Sequence, residues 1–261
     1  MCRLVCLDTM SAERAYKLCM DPLSGGVASM THEKDCRHMG REGGRPVKIS
    51  EGTFRRLFLV STISGFPRGC MGSLRLQKVV YTASHECEAR PFTYLHYHHG
   101  QFSRDLSICV GELKALGLVE ETREGGDATC FRLVQSPEID SFTSAGKRLI
   151  PHCEEAVKRA VRTVGMLKEP DLYRQAHEDP ALERTQFGEV ILESNLGSVD
   201  LLIDLPSEDA EDLELALSPR FVAAVRSLDR TLSSGALDLS RVQVMSWKDI
   251  KSSITTSSTR T

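Results

Sequence analysis

The chain has 261 residues, 41% hydrophobic and 26% charged, which is enough to bury one large core or two modest ones. A formal charge of −3, from 33 basic and 36 acidic side chains, gives no global attraction to nucleic acid or anionic lipid. No apolar run approaches the roughly 20 residues that span a bilayer, and Met1-Cys2-Arg3-Leu4-Val5 opens no secretory signal, so a soluble cytoplasmic protein is expected.

The 9 cysteines are scattered singly without a CxxC pair, a pattern that suits reduced thiols rather than a disulfide framework or a zinc ribbon. Residues 1–49 are expected to be a flexible leader, because Gly25, Gly26, Gly40, Gly43, Gly44 and Pro46 stand among charges with no steady apolar period. His32, Cys36 and His38 could chelate a metal only if that leader were ordered. At the other end, residues 251–261 are polar and low in complexity, which predicts a disordered tail.

The pattern is clearest over residues 50–135. Phe54, Leu57, Phe58 and Ser61 recur at helical spacing up to a turn at Gly65–Gly69. A second helix follows from Ser73, a residue placed to cap it, with Leu76, Val79, Val80, Ala83 and Cys87 on its apolar stripe. The aromatic stretch 92–98 reads as a strand ended by Gly100. Ser103 can cap a third helix whose buried stripe is Leu106, Cys109, Val110, Leu113 and Leu116, and Gly117 is its C-cap. Residues 118–123 and 128–133 flank Glu124-Gly125-Gly126-Asp127 as a hairpin. Together these elements predict an α+β fold built on a winged-helix-like module.

Residues 136–250 are expected to form a small helical and hairpin extension. A long helix is predicted over 144–167, with Pro151 kinking it or marking its true start. Residues 189–193 and 199–204 read as a hairpin, and 208–217 (capped by Ser207) and 221–232 as helices.

Chemistry-bearing motifs are sparse. GxSxG, HExxH, P-loop and GxGxxG patterns are all missing from the sequence, so binding rather than catalysis is expected, without a cofactor. His96 and His98 share a strand face and could supply two metal ligands, but no third ligand stands at a recognisable spacing, so no metal is predicted. His85 and Cys87, two apart on a helix, point in different directions and make a poor base and nucleophile. In a winged-helix unit the third helix and the wing meet DNA, yet here Arg104, Lys114, Arg123 and Arg132 are opposed by Asp105, Glu112, Glu120, Glu121, Glu124 and Asp127. That balance favours a protein partner over nucleic acid.

Three segments resemble one known family. Leu76-Gln77-Lys78-Val79-Val80-Tyr81, then Tyr97-His98-His99-Gly100-Gln101-Phe102-Ser103-Arg104-Asp105-Leu106, then Leu113-Lys114-Ala115-Leu116-Gly117-Leu118-Val119, are similar to the Panacea domain of SocA-like antitoxins. The resemblance covers roughly residues 54–135, and Gln101 stands where the family has proline. It implies a domain without catalysis of its own that neutralises a cognate toxin by direct contact or delivers it to a protease, and so an antitoxin or defence-system accessory protein. The positions it carries over as partner-binding are Gln77, Lys78, Tyr81, Tyr97, Gly100, Phe102 and Ser103. Read without it, Tyr81 and Phe102 are core, Gly100 and Ser103 are turn and cap, and Gln77 and Lys78 are helix surface.

Overall fold

The computed structural model describes residues 3–5, 46–124, 128–149, 151–234 and 243–245, which fall into two units. One unit combines Met1–Glu42 with Arg220–Thr261. In it β1 (Arg3–Val5) pairs in parallel with a strand at Gln243–Met245, so Arg3–Val5 has a strand partner within the stretch expected to be leader. The remainder of that leader up to residue 45, with its His32, Cys36 and His38, lies outside the described residues, as does the tail 251–261.

The other unit, Gly43–Pro219, begins with β2 (Val47–Lys48), α1 (Glu51–Ser64), β3 (Cys70–Met71) and α2 (Ser73–Glu86). A short pair, β4 (Tyr94–Tyr97) and β5 (Gly100–Phe102), precedes α3 (Arg104–Leu116), β6 (Val119–Glu124) and β7 (Ala128–Leu133). Then come α4 (Pro137–Leu149), α5 (Pro151–Thr163), α6 (Glu169–His177), α7 (Pro180–Glu183), β8 (Val190–Leu192), β9 (Leu202–Ile203) and α8 (Ser207–Ala216). The fold is α+β. Among the described residues no helix is long and apolar enough to cross a membrane.

Local chemistry explains most boundaries of the first half. Ser50 caps α1 by accepting from the Thr53 N–H at 3.2 Å, and the expected stripe of Phe54, Leu57 and Phe58 is buried. Ser103 caps α3 by accepting from the Leu106 N–H at 3.2 Å, and Gly117 ends it in the left-handed region at φ 78°. Ser73 does not cap α2: the cap position falls on Gly72, at φ 85°, and Ser73 is the first helical residue. β3 pairs with β7, and β7 with β6, giving an antiparallel sheet of order β3-β7-β6 beside α1, α2 and α3. The hairpin glycines Gly125 and Gly126 lie outside the described residues.

The second half departs further from expectation. Pro151 starts a new helix, so the predicted helix over 144–167 is two helices, α4 and α5. β8 and β9 do not pair with each other; β8 joins the edge of β4, and β9 pairs with β2. The reason is the link between them, where Asn195 is used for long-range bonds: its Oδ1 accepts from the Arg90 N–H at 2.7 Å and its Nδ2 donates to the Glu88 carbonyl at 2.9 Å. Because β9 captures Val47–Lys48 and Ile49 is buried, the folded body begins inside the predicted leader. The cap of α8 is Pro206, and Ser207 is its first residue. α9 (Pro219–Ser233) runs into the unit first described.

Candidate functional site

The β4–β5 hairpin turns through His98-His99, and its strand register sorts its side chains onto two faces. His96 lies opposite Gln101, while Leu95 lies opposite Phe102 on one side and Val190 of β8 on the other. Tyr94, His96 and Gln101 therefore share the inner face, and Leu95, Tyr97, Phe102 and Val190 the outer one.

The inner face is fastened to α2. Tyr94 is fully buried and donates through its hydroxyl to the Gln77 carbonyl at 3.3 Å. The Gln77 amide donates to the Ser103 carbonyl at 2.9 Å and accepts from the Ser103 N–H at 2.9 Å. Lys78 Nζ donates to both the carbonyl (2.8 Å) and the Oε1 (2.9 Å) of Gln101. Gln101 Nε2 in turn donates to Asp179 Oδ2 at 2.6 Å and to the Ala176 carbonyl at 3.3 Å, tying the hairpin to the end of α6. Proline at this position could make none of the side-chain bonds. Gly100 has φ 82°, and a Cβ there would stand 2.9 Å from the Ala176 carbonyl oxygen and 3.0 Å from Lys78 Nζ.

This packing dictates the electrostatics. Lys78 is 4% exposed, and burial pushes its pKa down to about 7, with the Asp179 carboxylate acting in the opposite direction. Tyr81 is also buried, and its hydroxyl lies beside the Asp179 carboxylate without closing a well-formed hydrogen bond to any described residue. Burial first, and the adjacent Asp179 carboxylate second, push that phenol upward.

The outer face is open. Tyr97 is 43% exposed and sits centrally, its ring 5.2 Å from Phe102 and 5.3 Å from Phe187, stacked on the latter at 28°. His98 lies 4.6 Å from the Phe187 ring and 4.9 Å from that of Tyr97. Phe187, at 57% exposure, and Val190, at 51%, extend the apolar surface along β8.

The seven positions expected to bind a partner are thus brought together around one hairpin, but with different work. Gln77, Lys78, Tyr81, Gly100 and Ser103 are buried, so they cannot touch a partner in this conformation; they hold the hairpin in place. Gln77 and Lys78 are not helix surface, because the hairpin inserted between α2 and α3 covers a second side of α2. Tyr97 and Phe102 are the pair that reaches the outside. His96 is occupied, donating from Nδ1 to the Thr185 carbonyl at 2.9 Å, and no three His, Cys, Asp or Glu among the described residues are grouped as for a metal. His85 packs edge-on to Tyr81 at 4.6 Å, while contact with Cys153 and then burial push the Cys87 thiol upward, away from a nucleophilic thiolate.

Sequence reasoning missed Asp179 and Phe187. The first carried a usable signal, since Asp179-Pro180 is a cap followed by proline at the first helical position, and its Oδ1 accepts from the Ala181 N–H at 2.8 Å. Phe187 is a lone aromatic residue between Gln186 and Gly188, with no period to mark it. Compared with known proteins, the chain matches no family model, no curated protein and no solved structure.

Proposed function

We propose that this is a non-catalytic cytoplasmic binding protein of the Panacea (SocA-like) antitoxin type, neutralising a cognate protein toxin or serving a defence complex through the outer face of the β4–β5–β8 sheet. The observation that supports this reading most is the row of rings Phe102, Tyr97 and Phe187, with Tyr97 and Phe187 exposed and stacked and Phe102 half-buried beside them, on a hairpin whose inner face is hydrogen-bonded to α2 and α6. Rigid aromatic side chains bury much area at little entropic cost, so a few of them can dominate an interface. In this reading the motif residues divide the task. Tyr97 and Phe102 meet the partner, and Gln77, Lys78, Gly100 and Ser103 pre-organise them. The test is co-expression with the product of the adjacent gene: the wild-type chain relieves toxicity and co-purifies with it, and Tyr97→Ala weakens both by about 2 kcal/mol or more in binding.

A winged-helix DNA-binding regulator is the second reading, favoured by one observation. The strand order β3-β7-β6 beside α1, α2 and α3 is the arrangement such a module uses. Against it stands the outward side of α3, where Ser107, Ile108, Gly111 and Ala115 are exposed and uncharged and Lys114 is paired with Glu121 of β6. Phosphate contacts need cations, so weak, non-specific binding to duplex DNA, roughly micromolar or poorer at physiological salt, is the expected outcome.

A further inference from the structure

On the inner side of the hairpin, α2, β5 and α6 enclose a small cavity of about 60 Å3. Lys78, Tyr81, Gln101, Leu172, Ala176 and Asp179 line it, with the exposed Gln175 at its rim. The docking face on the opposite side of the hairpin makes no use of it.

Three of these groups form a reactive set. Lys78 Nζ makes two hydrogen bonds, both to Gln101 acceptors. Those account for both N–H groups of a neutral amine and leave its lone pair unengaged. Burial holds a large part of this amine in the neutral form near pH 7, unlike an exposed lysine. Tyr81 adds a buried hydroxyl beside Asp179 that closes no well-formed hydrogen bond, and burial and Asp179 together keep it protonated. Asp179 supplies a carboxylate.

The combination selects a class of ligand. An anion would meet the Asp179 carboxylate, and a cation would find that carboxylate already engaged, its Oδ2 by Gln101 Nε2 and its Oδ1 by the Ala181 N–H. A neutral carbonyl compound suits the site, since its oxygen accepts from the Tyr81 hydroxyl while its electrophilic carbon meets the amine.

We propose that Lys78 is a covalent site for a small neutral aldehyde or ketone, held as an imine. The Nζ lone pair forms the C–N bond while the carbonyl π pair moves onto oxygen, which is stabilised by the Tyr81 O–H. Asp179 carries one proton from nitrogen to that oxygen, giving a carbinolamine, and then a second from nitrogen to the hydroxyl, which leaves as water. Amine plus carbonyl thus gives imine plus water, with no oxidant or reductant consumed. A neutral imine nitrogen carries no N–H, so both bonds to Gln101 are given up when the site is filled, and occupancy loosens the anchor of the hairpin.

The test uses the full chain with acetaldehyde and sodium cyanoborohydride at pH 7, following N-ethylation of each lysine by peptide mass spectrometry over time. The proposal expects Lys78 to be labelled at least about tenfold faster than the exposed Lys158 and Lys168. Tyr81→Phe should slow Lys78 several-fold while leaving the melting temperature nearly unchanged, because no well-formed hydrogen bond of the hydroxyl is lost. Labelling at Lys78 no faster than at Lys168, or a Lys78 rate that Tyr81→Phe leaves unchanged, overturns it.

Discussion

Gln77 and Ser103 form a reciprocal pair in which a side-chain amide takes the place of a neighbouring strand: the amide N–H donates to the Ser103 carbonyl and its oxygen accepts from the Ser103 N–H, both at 2.9 Å. Ser103 is where β5 ends and α3 begins, so one side chain of α2 fixes both the hairpin and the cap of the next helix. Gln77→Leu keeps the volume and orphans the buried Ser103 N–H. It should cost about 1–3 kcal/mol, read as a lower urea midpoint at unchanged slope.

Lys78 carries a pH signature. Its native pKa lies near 7, whereas the unfolded chain titrates near the ordinary lysine value of about 10.4. Between those values the unfolded state binds more protons, so this group makes stability rise with pH through that window and contributes no slope below about pH 7. The slope it adds approaches about 1.4 kcal/mol per pH unit. Urea unfolding at pH 7, 8 and 9 should show this rise in the wild type, and Lys78→Met should flatten it. The difference between the two proteins isolates Lys78 from other groups that titrate there.

Glu214 of α8 closes the start of α1, accepting from the hydroxyls of Ser50 and Thr53, each at 2.8 Å, and from the Ser50 N–H. A carboxylate at a helix N-terminus is favoured by the backbone dipoles and by charge-assisted bonds. Glu214→Gln retains the shape and loses the charge, and should lower stability by about 1 kcal/mol, measurable as a fall in melting temperature that high salt diminishes.

How far the sequence reached depended on how local each cause was. α1 and α3 were legible because stripe and stop sit within or next to their own residues: Phe54, Leu57 and Phe58 up to the turn at Gly65 for one, and Leu113 and Gly117 for the other, where the cap Ser103 was legible too, while Ser50, the cap of α1, went unread. β8 and β9 were seen as strands but given to each other, since alternation reports that a strand exists and not which edge it joins. The same limit applied to Gln77 and Lys78. Their positions beside the apolar stripe read as helix surface, and only the hairpin, packed over them from some 20 residues away, makes them core. The positions that the resemblance marks lie around one hairpin, and burial separates Tyr97 and Phe102, which reach the surface, from the other five.

The outer face separates docking from stability better than any buried position. Tyr97 and Phe187 are about half exposed, so removing both rings should shift the melting temperature little, while an interface that used them would lose its centre. The most direct measurement is therefore the affinity of the purified adjacent-gene product for the wild-type chain and for the Tyr97→Ala/Phe187→Ala variant, with melting temperatures taken alongside. The account predicts binding by the wild type and a loss of about 2 kcal/mol or more in the variant at nearly unchanged stability. Equal affinity for the two proteins, or a wild-type chain that does not bind the adjacent-gene product, would contradict it.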